Sequence, residues 1–173
     1  MIFTNIPDEI IDLLDDQGNV IGPISRAELM ASASRNFRLV SALLRRPDGN
    51  FILFRRSYTK KAFPGVFASV GGCVQSGETF QQAMARELYE EVGLHLHEYP
   101  WRLLGYTKPF EDDTIGYVAL YEIQYDGIIQ YNTDDFCESR IFSFSQVMQL
   151  CNQKHEVTHN VPIYFSKFYN TRP

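Results

Sequence analysis

Cysteine is scarce in this sequence: Cys73, Cys137 and Cys151 are all there is. They show neither close pairing nor the spacing of metal ligands. That points away from a disulfide scaffold or a structural zinc site and towards free thiols in a reducing cytosol. Long apolar runs are missing too. No uninterrupted stretch approaches the roughly 20 residues of a bilayer span, and the start, MIFTNIPDEI, has no basic segment ahead of an apolar one. Neither a membrane anchor nor a secretory signal is therefore expected, and the expected location is the cytoplasm. There is no excess of basic residues: the formal net charge is −5, which disfavours non-specific nucleic-acid binding. Internal repeats and low-complexity linkers are absent as well. Histidine occurs only at His95, His97, His155 and His159. The last two, four apart, could share a helix face, but neither pair has accompanying ligands, so surface histidines are expected rather than zinc ligands.

What is present suits one globular domain. The chain has 173 residues, of which 45% are hydrophobic, enough for a sizeable core. Glu9 to Asp15 reads as a strand, Asp16 to Asn19 as a turn, and Val20 to Gly22 as a returning strand. Ser25 with Glu28 forms the capping box of a helix reaching about Ala33. Phe37 to Arg45 and Phe51 to Arg55 read as strands around the turn Pro47 to Asn50. Phe63-Pro64-Gly65 turns the chain into a short strand or tight loop ending at Gly72. Strands are also expected over Trp101 to Lys108, Thr114 to Tyr125 and Phe136 to Phe144, the last with Ile141 and Phe142 in the core. Ser145 is expected to cap a helix containing Val147 to Cys151. Val161 to Tyr169 reads as a terminal helix that closes the core. Its aromatic content keeps a homodimer face, or stacking on a substrate, open as an alternative.

The chemistry concentrates between Gly72 and Leu94. Phe80, Ala83, Met84, Leu88 and Val92 recur at three- and four-residue steps, so Thr79 to Val92 reads as a helix, stopped by Gly93. On that helix Glu87 lies one turn from both Glu90 and Glu91. Three bare carboxylates on adjoining turns repel each other, but together they offer the hard oxygen ligands that suit Mg²⁺ or Mn²⁺. Arg86 is placed to pair with Glu90 and orient it. Gly72 and Gly77 frame a loop whose backbone can approach a metal or phosphate closely. Four cations, Arg55, Arg56, Lys60 and Lys61, lie just upstream. They read either as phosphate ligands or as a solvated basic turn.

This stretch resembles the Nudix box, G-x5-E-x7-R-E-U-x-E-E-x-G-U, where U is a bulky aliphatic residue. Gly72, Glu78, Arg86, Glu87, Leu88, Glu90, Glu91, Gly93 and Leu94 match every defined position. The aromatic-Pro-Gly turn and the N-terminal elements are similar to those of the isopentenyl-diphosphate isomerase-like branch of that family. The resemblance implies an α/β fold, the Nudix α/β/α sandwich with a mixed sheet. It implies a single Nudix domain over 1–173, with 1–35 as an N-terminal strand-turn-strand-helix extension. The implied activity is Mg²⁺-dependent hydrolysis of a pyrophosphate bond in a small-molecule diphosphate, such as a nucleoside diphosphate linked to another group. The implied metal ligands are the Gly72 carbonyl, Glu87, Glu90 and Glu91. It further implies that Glu87, Arg86 and Glu90 serve catalysis, that Glu78 supports the loop or the outer metal shell, and that a further acid comes from the region of Asp134, Asp135 and Glu138. The isomerase pattern has a catalytic Cys just before the box glycine and a His just after it. Here those positions hold Gly71 and Cys73. The alternatives to a hydrolase are an isomerase, which would lack a central proton carrier, and a non-catalytic module that binds a nucleotide or a partner.

Overall fold

The computed structural model describes residues 9–153 and 155–169. Residues 1–8, part of the expected N-terminal extension, lie outside the described residues. Two antiparallel strands, β1 (Ile10–Leu14) and β2 (Val20–Ser25), come first. Asp15 turns the chain between them: its Oδ1 accepts from Gln17 N at 2.9 Å and Asn19 N at 2.8 Å, and Gly18 takes φ 86°. The helix α1 (Arg26–Ser32) starts at Ser25 with both bonds of the expected Ser25–Glu28 capping box, and Ala33 ends it.

The main sheet is mixed. Its strands are β3 (Arg38–Arg45), β4 (Phe51–Arg56), β5 (Phe67–Ala68), β6 (Val70–Cys73), β7 (Trp101–Thr107), β8 (Tyr117–Gln124) and β9 (Phe136–Phe142). β3 pairs parallel with β8, and its other edge is shared by β4 at one end and β6 at the other. Between β5 and β6 the chain crosses from β4 to β3, which presents Gly71 and Gly72 at the divergence of those two strands.

The central strands are buried on both sides and therefore read as near-continuous apolar runs. Alternate residues divide between two cores. Val40, Ala42, Leu44, Ile52 and Phe54 face the helix α2 (Phe80–Val92), whose Ala83, Met84, Leu88 and Val92 fill that layer. Leu39, Leu43, Phe51, Leu53 and Phe67 face α1 and two further helices, α3 (Phe144–Cys151) and α4 (Asn160–Phe168). The result is the expected α/β/α sandwich.

Three local expectations are corrected. Ser143, not Ser145, caps α3, because Gln146 rather than a later residue completes the capping box. Phe142 is buried but Ile141 is 42% exposed, since neighbours on a strand point to opposite faces. His155 and His159 share no helix face: His155 precedes α4 at φ 66° and His159 is its N-cap, with Nε2 2.6 Å from the Asp113 carbonyl oxygen.

Candidate active site

α2 begins at Thr79, whose side chain accepts from Gln82 N while Gln82 caps Thr79 in return. It ends at Gly93, whose φ of 68° is a left-handed conformation that glycine adopts without penalty. Between these caps Glu87 and Glu91 turn inward and are buried, while Glu90 stays exposed.

Arg86 fastens the helix to the loop before it. It donates to Glu78 through Nε at 2.9 Å and Nη2 at 2.8 Å, and to the Cys73 carbonyl at 2.9 Å. Its Nη1 reaches Glu87 at 2.7 Å and Glu90 at 3.3 Å. Pairing with Glu90 was expected from the sequence; the tighter bonds to Glu78 and Glu87 were not. Glu78 also accepts from Gln75 N at 2.9 Å. The Arg86 hydrogen bonds hold its carboxyl below the usual range, and the Gln75 amide adds to this. Gly72 backs directly onto the Glu87 carboxylate, so a Cβ at position 72 would overlap it.

The buried charges are incompletely matched. Glu91 accepts from Gly71 N at 2.8 Å, yet burial, followed by the neighbouring Glu87, pushes its carboxyl well above the ordinary value. Burial lifts Glu87 to about 7, against the opposing pull of Arg86. Across the cleft, burial draws the Arg56 guanidinium below its ordinary value, more than Glu91 and Asp135 draw it up. One site thus holds two buried carboxyls whose burial outweighs their hydrogen bonds, opposite a half-buried guanidinium.

The cleft has a volume of about 750 Å³ and is lined by Gly71, Gly72, Glu87, Glu90 and Glu91 on one side, with Arg56, Lys60 and Asp135 opposite. The N-terminal elements complete it. β1 bridges Gln75 through Ile11, and Ser76 N donates to the Ile10 carbonyl at 2.8 Å. This brings Glu9 and Arg26, paired at 2.8 Å, to the rim. Among the described residues, no three acidic, His or Cys side chains are already drawn together as an ion-binding group.

Of the four upstream cations, Arg56 and Lys60 line the cleft, Lys60 in an ion pair with Asp135. Arg55 does not. It lies on the other face of β4, bonded to Glu138 at 2.7 Å and to the Gly65 carbonyl at 2.7 Å, with its guanidinium 4.2 Å from the Phe67 ring centroid. Lys61 is exposed and is not part of the cleft lining. Adjacent strand residues point to opposite faces, so Arg55 and Arg56 could not both face the site.

The acidic trio after β7 stays largely solvated while forming ion pairs: the exposed Glu111 with Lys108, the exposed Asp113 with Arg35, and the less exposed Asp112 with Lys167. Asp135, Glu9 and Arg26 reach the site from distant parts of the chain. For Asp135 the signal was an acidic cluster before β9. For Glu9 and Arg26 no local signal marks a role in the site.

Comparison with known proteins shows the family and the fold. The NUDIX domain family model matches residues 35–161. An uncharacterized Nudix hydrolase of Nostoc sp. is 36% identical over 146 residues, 84% of this chain and 86% of its own. An isopentenyl-diphosphate Delta-isomerase of Klebsiella pneumoniae is 36% identical over 89 residues, covering 51% of this chain and 48% of its own. The crystal structure of DR0079 from Deinococcus radiodurans superposes with a TM-score of 0.87 at 29% identity, covering 93% of this chain and 99% of that one.

Proposed function

The chain belongs to the Nudix family of pyrophosphohydrolases, which work with divalent metal ions on small-molecule diphosphates, and from that premise we propose that it uses Mg²⁺ to hydrolyse a phosphoanhydride bond at the cleft between α2 and Arg56. Mn²⁺ is the second choice of ion. The observation that carries this reading is the facing of carboxylates and cations across one cleft. Glu87 and Glu91 are buried carboxylates on α2, and the half-buried Arg56 lies opposite with Lys60. A metal ion with its bound phosphate would neutralise the first and pair with the second.

The residues fit such an ion. Gly72 would offer its carbonyl, and Glu87, Glu90 and Glu91 their carboxylates, all hard oxygen donors. Repulsion among the bare carboxylates accounts for their not being gathered in advance. When bound, the ion would neutralise phosphate charge and acidify a water molecule. Arg86 acts as a positioning residue through Glu78, Glu87 and the Cys73 carbonyl. Arg56, Lys60 and Arg26 would hold phosphate oxygens. In the reaction a water oxygen forms a bond to phosphorus. The anhydride P–O bond breaks, its electron pair stays on the departing phosphate, and the water proton passes to Glu87 or Glu90. Because Glu9 and Arg26 belong to this cleft, we take the described part of the N-terminal extension, residues 9–35, to belong to the same domain as the sheet.

Isomerisation is disfavoured at the same site. Gly71 takes φ 149°, and a Cβ there would overlap the Val40 carbonyl oxygen, so this backbone leaves no room for a thiol. The test is a screen of small diphosphates with Mg²⁺ and product identification, together with proton NMR of isopentenyl diphosphate in deuterated water. Cleavage that EDTA abolishes, without deuterium uptake into isopentenyl diphosphate, is expected. Conversion to the dimethylallyl isomer would overturn the proposal.

A further inference from the structure

Among the described residues the main sheet ends in β9 on one side and β7 on the other, and the two edges are finished differently. β9 carries Glu138 and Arg140 in an ion pair. Charges of that kind discourage an edge strand from pairing with another molecule. β7 has one charged side chain, Arg102, and the buried Glu122 holds it at 2.9 Å from Nε.

The face of β7 beside α2 is apolar. The Trp101 ring lies 5.7 Å from the Tyr121 ring, and the Tyr106 ring 5.7 Å from that of Phe80 on α2, so both residues lie on the α2 side. Strict alternation would send Tyr106 to the opposite face with Arg102. The register shift between Leu103 and Gly105 is a bulge that returns it. Trp101, Leu103 and Tyr106 thus form one strip, and they are 38%, 39% and 53% exposed. Together they leave on the order of 250 Å² of side chain uncovered. The backbone of the same edge is turned outward. Gln124 N donates to the Pro100 carbonyl at 2.8 Å. Alternate residues of an antiparallel ladder bond the neighbouring strand, so Arg102 follows Pro100 inward while Trp101 and Leu103 direct N–H and C=O away from the sheet. Opposite charges mark the two ends of the strand. Glu98, exposed and without an ion-pair partner among the described residues, stands just before β7. Lys108, exposed and paired only with the exposed Glu111, stands just after it.

We propose that β7 is the contact between two copies of this chain, which meet side by side and antiparallel about a two-fold axis near Leu103. A two-fold axis brings the same patch of each copy together. The antiparallel arrangement buries each strip against its own copy and faces the outward backbone groups of Trp101 and Leu103 with their like. It also sets Glu98 beside the partner's Lys108, twice over. A parallel approach would align like charges instead. A stable dimer buries roughly 800 Å² per partner, so the strip forms the apolar centre, with backbone and polar rim around it. The charged β9 edge does not extend the sheet, so the assembly closes at two. The aromatic terminal helix, which the sequence left open as a dimer face, is spent on the core: Tyr164 and Phe165 are buried.

Sedimentation velocity of the full chain over about 1–200 μM reads the outcome, since an apolar centre of this size gives modest affinity. A rise from 20.0 kDa towards twice that mass is expected as concentration increases. Leu103→Lys places like charges at the axis and should weaken association by at least about tenfold. Glu98→Lys should weaken it by about fivefold, and adding Lys108→Glu should restore the wild-type value. Melting curves show whether each variant folds, and the exposed swap pair still decides the matter if Leu103→Lys does not. No residue of β7 lines the cleft, so the result is independent of the hydrolase reading. A monomer at the highest concentration, association unmoved by either single variant, or a double swap that restores nothing would overturn the proposal.

Discussion

Two neighbouring residues of β4, Arg55 and Arg56, separate scaffold from site. Arg55 packs on Phe67 and pairs with Glu138, whereas Arg56 faces Glu91 across the cleft. Arg55→Ala should therefore cost about 1–2 kcal/mol through lost stacking and hydrogen bonds and leave Mg²⁺-dependent turnover largely intact. Arg56→Ala should reverse that pattern, lowering kcat/KM by about 10–100-fold, on the order of 1.4–2.7 kcal/mol, with little change in thermal unfolding. Steady-state kinetics and melting curves on both variants read the contrast, and equal kinetic losses would refute the division of roles. Glu91 gives a second test. Glu91→Gln keeps an oxygen for the Gly71 amide but removes the buried charge. Hydrolysis should fall by at least about 100-fold, as for loss of a key electrostatic group, and the metal-free protein at pH 8 should be no less stable than wild type. A folded variant with normal turnover would remove Glu91 from the metal site.

At the level of elements, α2 carries the proposed metal ligands and is held by its ends. Thr79→Ala breaks the capping box and should cost about 1 kcal/mol, a fall in Tm of roughly 2–4 °C for a chain of this size. Turnover below that Tm should persist, because the carboxylates sit about two to three turns further along. The approach of β6 to β3 is tighter. Gly71→Cys, which would restore the thiol of the isomerase pattern, should destabilise the fold by more than about 1 kcal/mol, since the Val40 carbonyl occupies the space of its Cβ. Proton NMR of isopentenyl diphosphate with this variant should show no isomerisation. A stable variant that isomerises would mean that β6 can move away from β3 at little cost.

For the molecule as a whole, pH and metal are linked. Glu87 is raised from the ordinary value of 4.5 to about 7, and Glu91 is raised as well. A carboxyl raised by folding binds more protons in the native state than in the unfolded one. The metal-free protein should therefore lose stability as pH climbs from about 4.5 through 7, rather than gain it. Mg²⁺ needs the same carboxylates ionised, so its stabilisation should grow over that window. At a hundredfold excess over Kd it is about 2.7 kcal/mol, or roughly 5–10 °C in Tm. Melting curves at pH 5 and pH 8, with Mg²⁺ and with EDTA, check this. A larger Mg²⁺ effect at pH 5 would contradict it.

The sequence by itself determined whatever is written in local spacing. The helix from its three- and four-residue steps, the Ser25–Glu28 cap, the turn at Asp16 to Asn19 and the grouping of Glu87, Glu90 and Glu91 on one surface all follow from short-range geometry. Only the tertiary structure decided which side of β4 meets α2, and hence that Arg56 and not Arg55 enters the cleft. It alone brought Glu9, Arg26 and Asp135 to the carboxylates, because β1 crosses the box loop and β9 pairs with β4. The physical reason is one of range. Backbone propensity and capping act within a few residues, whereas charge burial and cavity shape depend on which surfaces the packed sheet brings together.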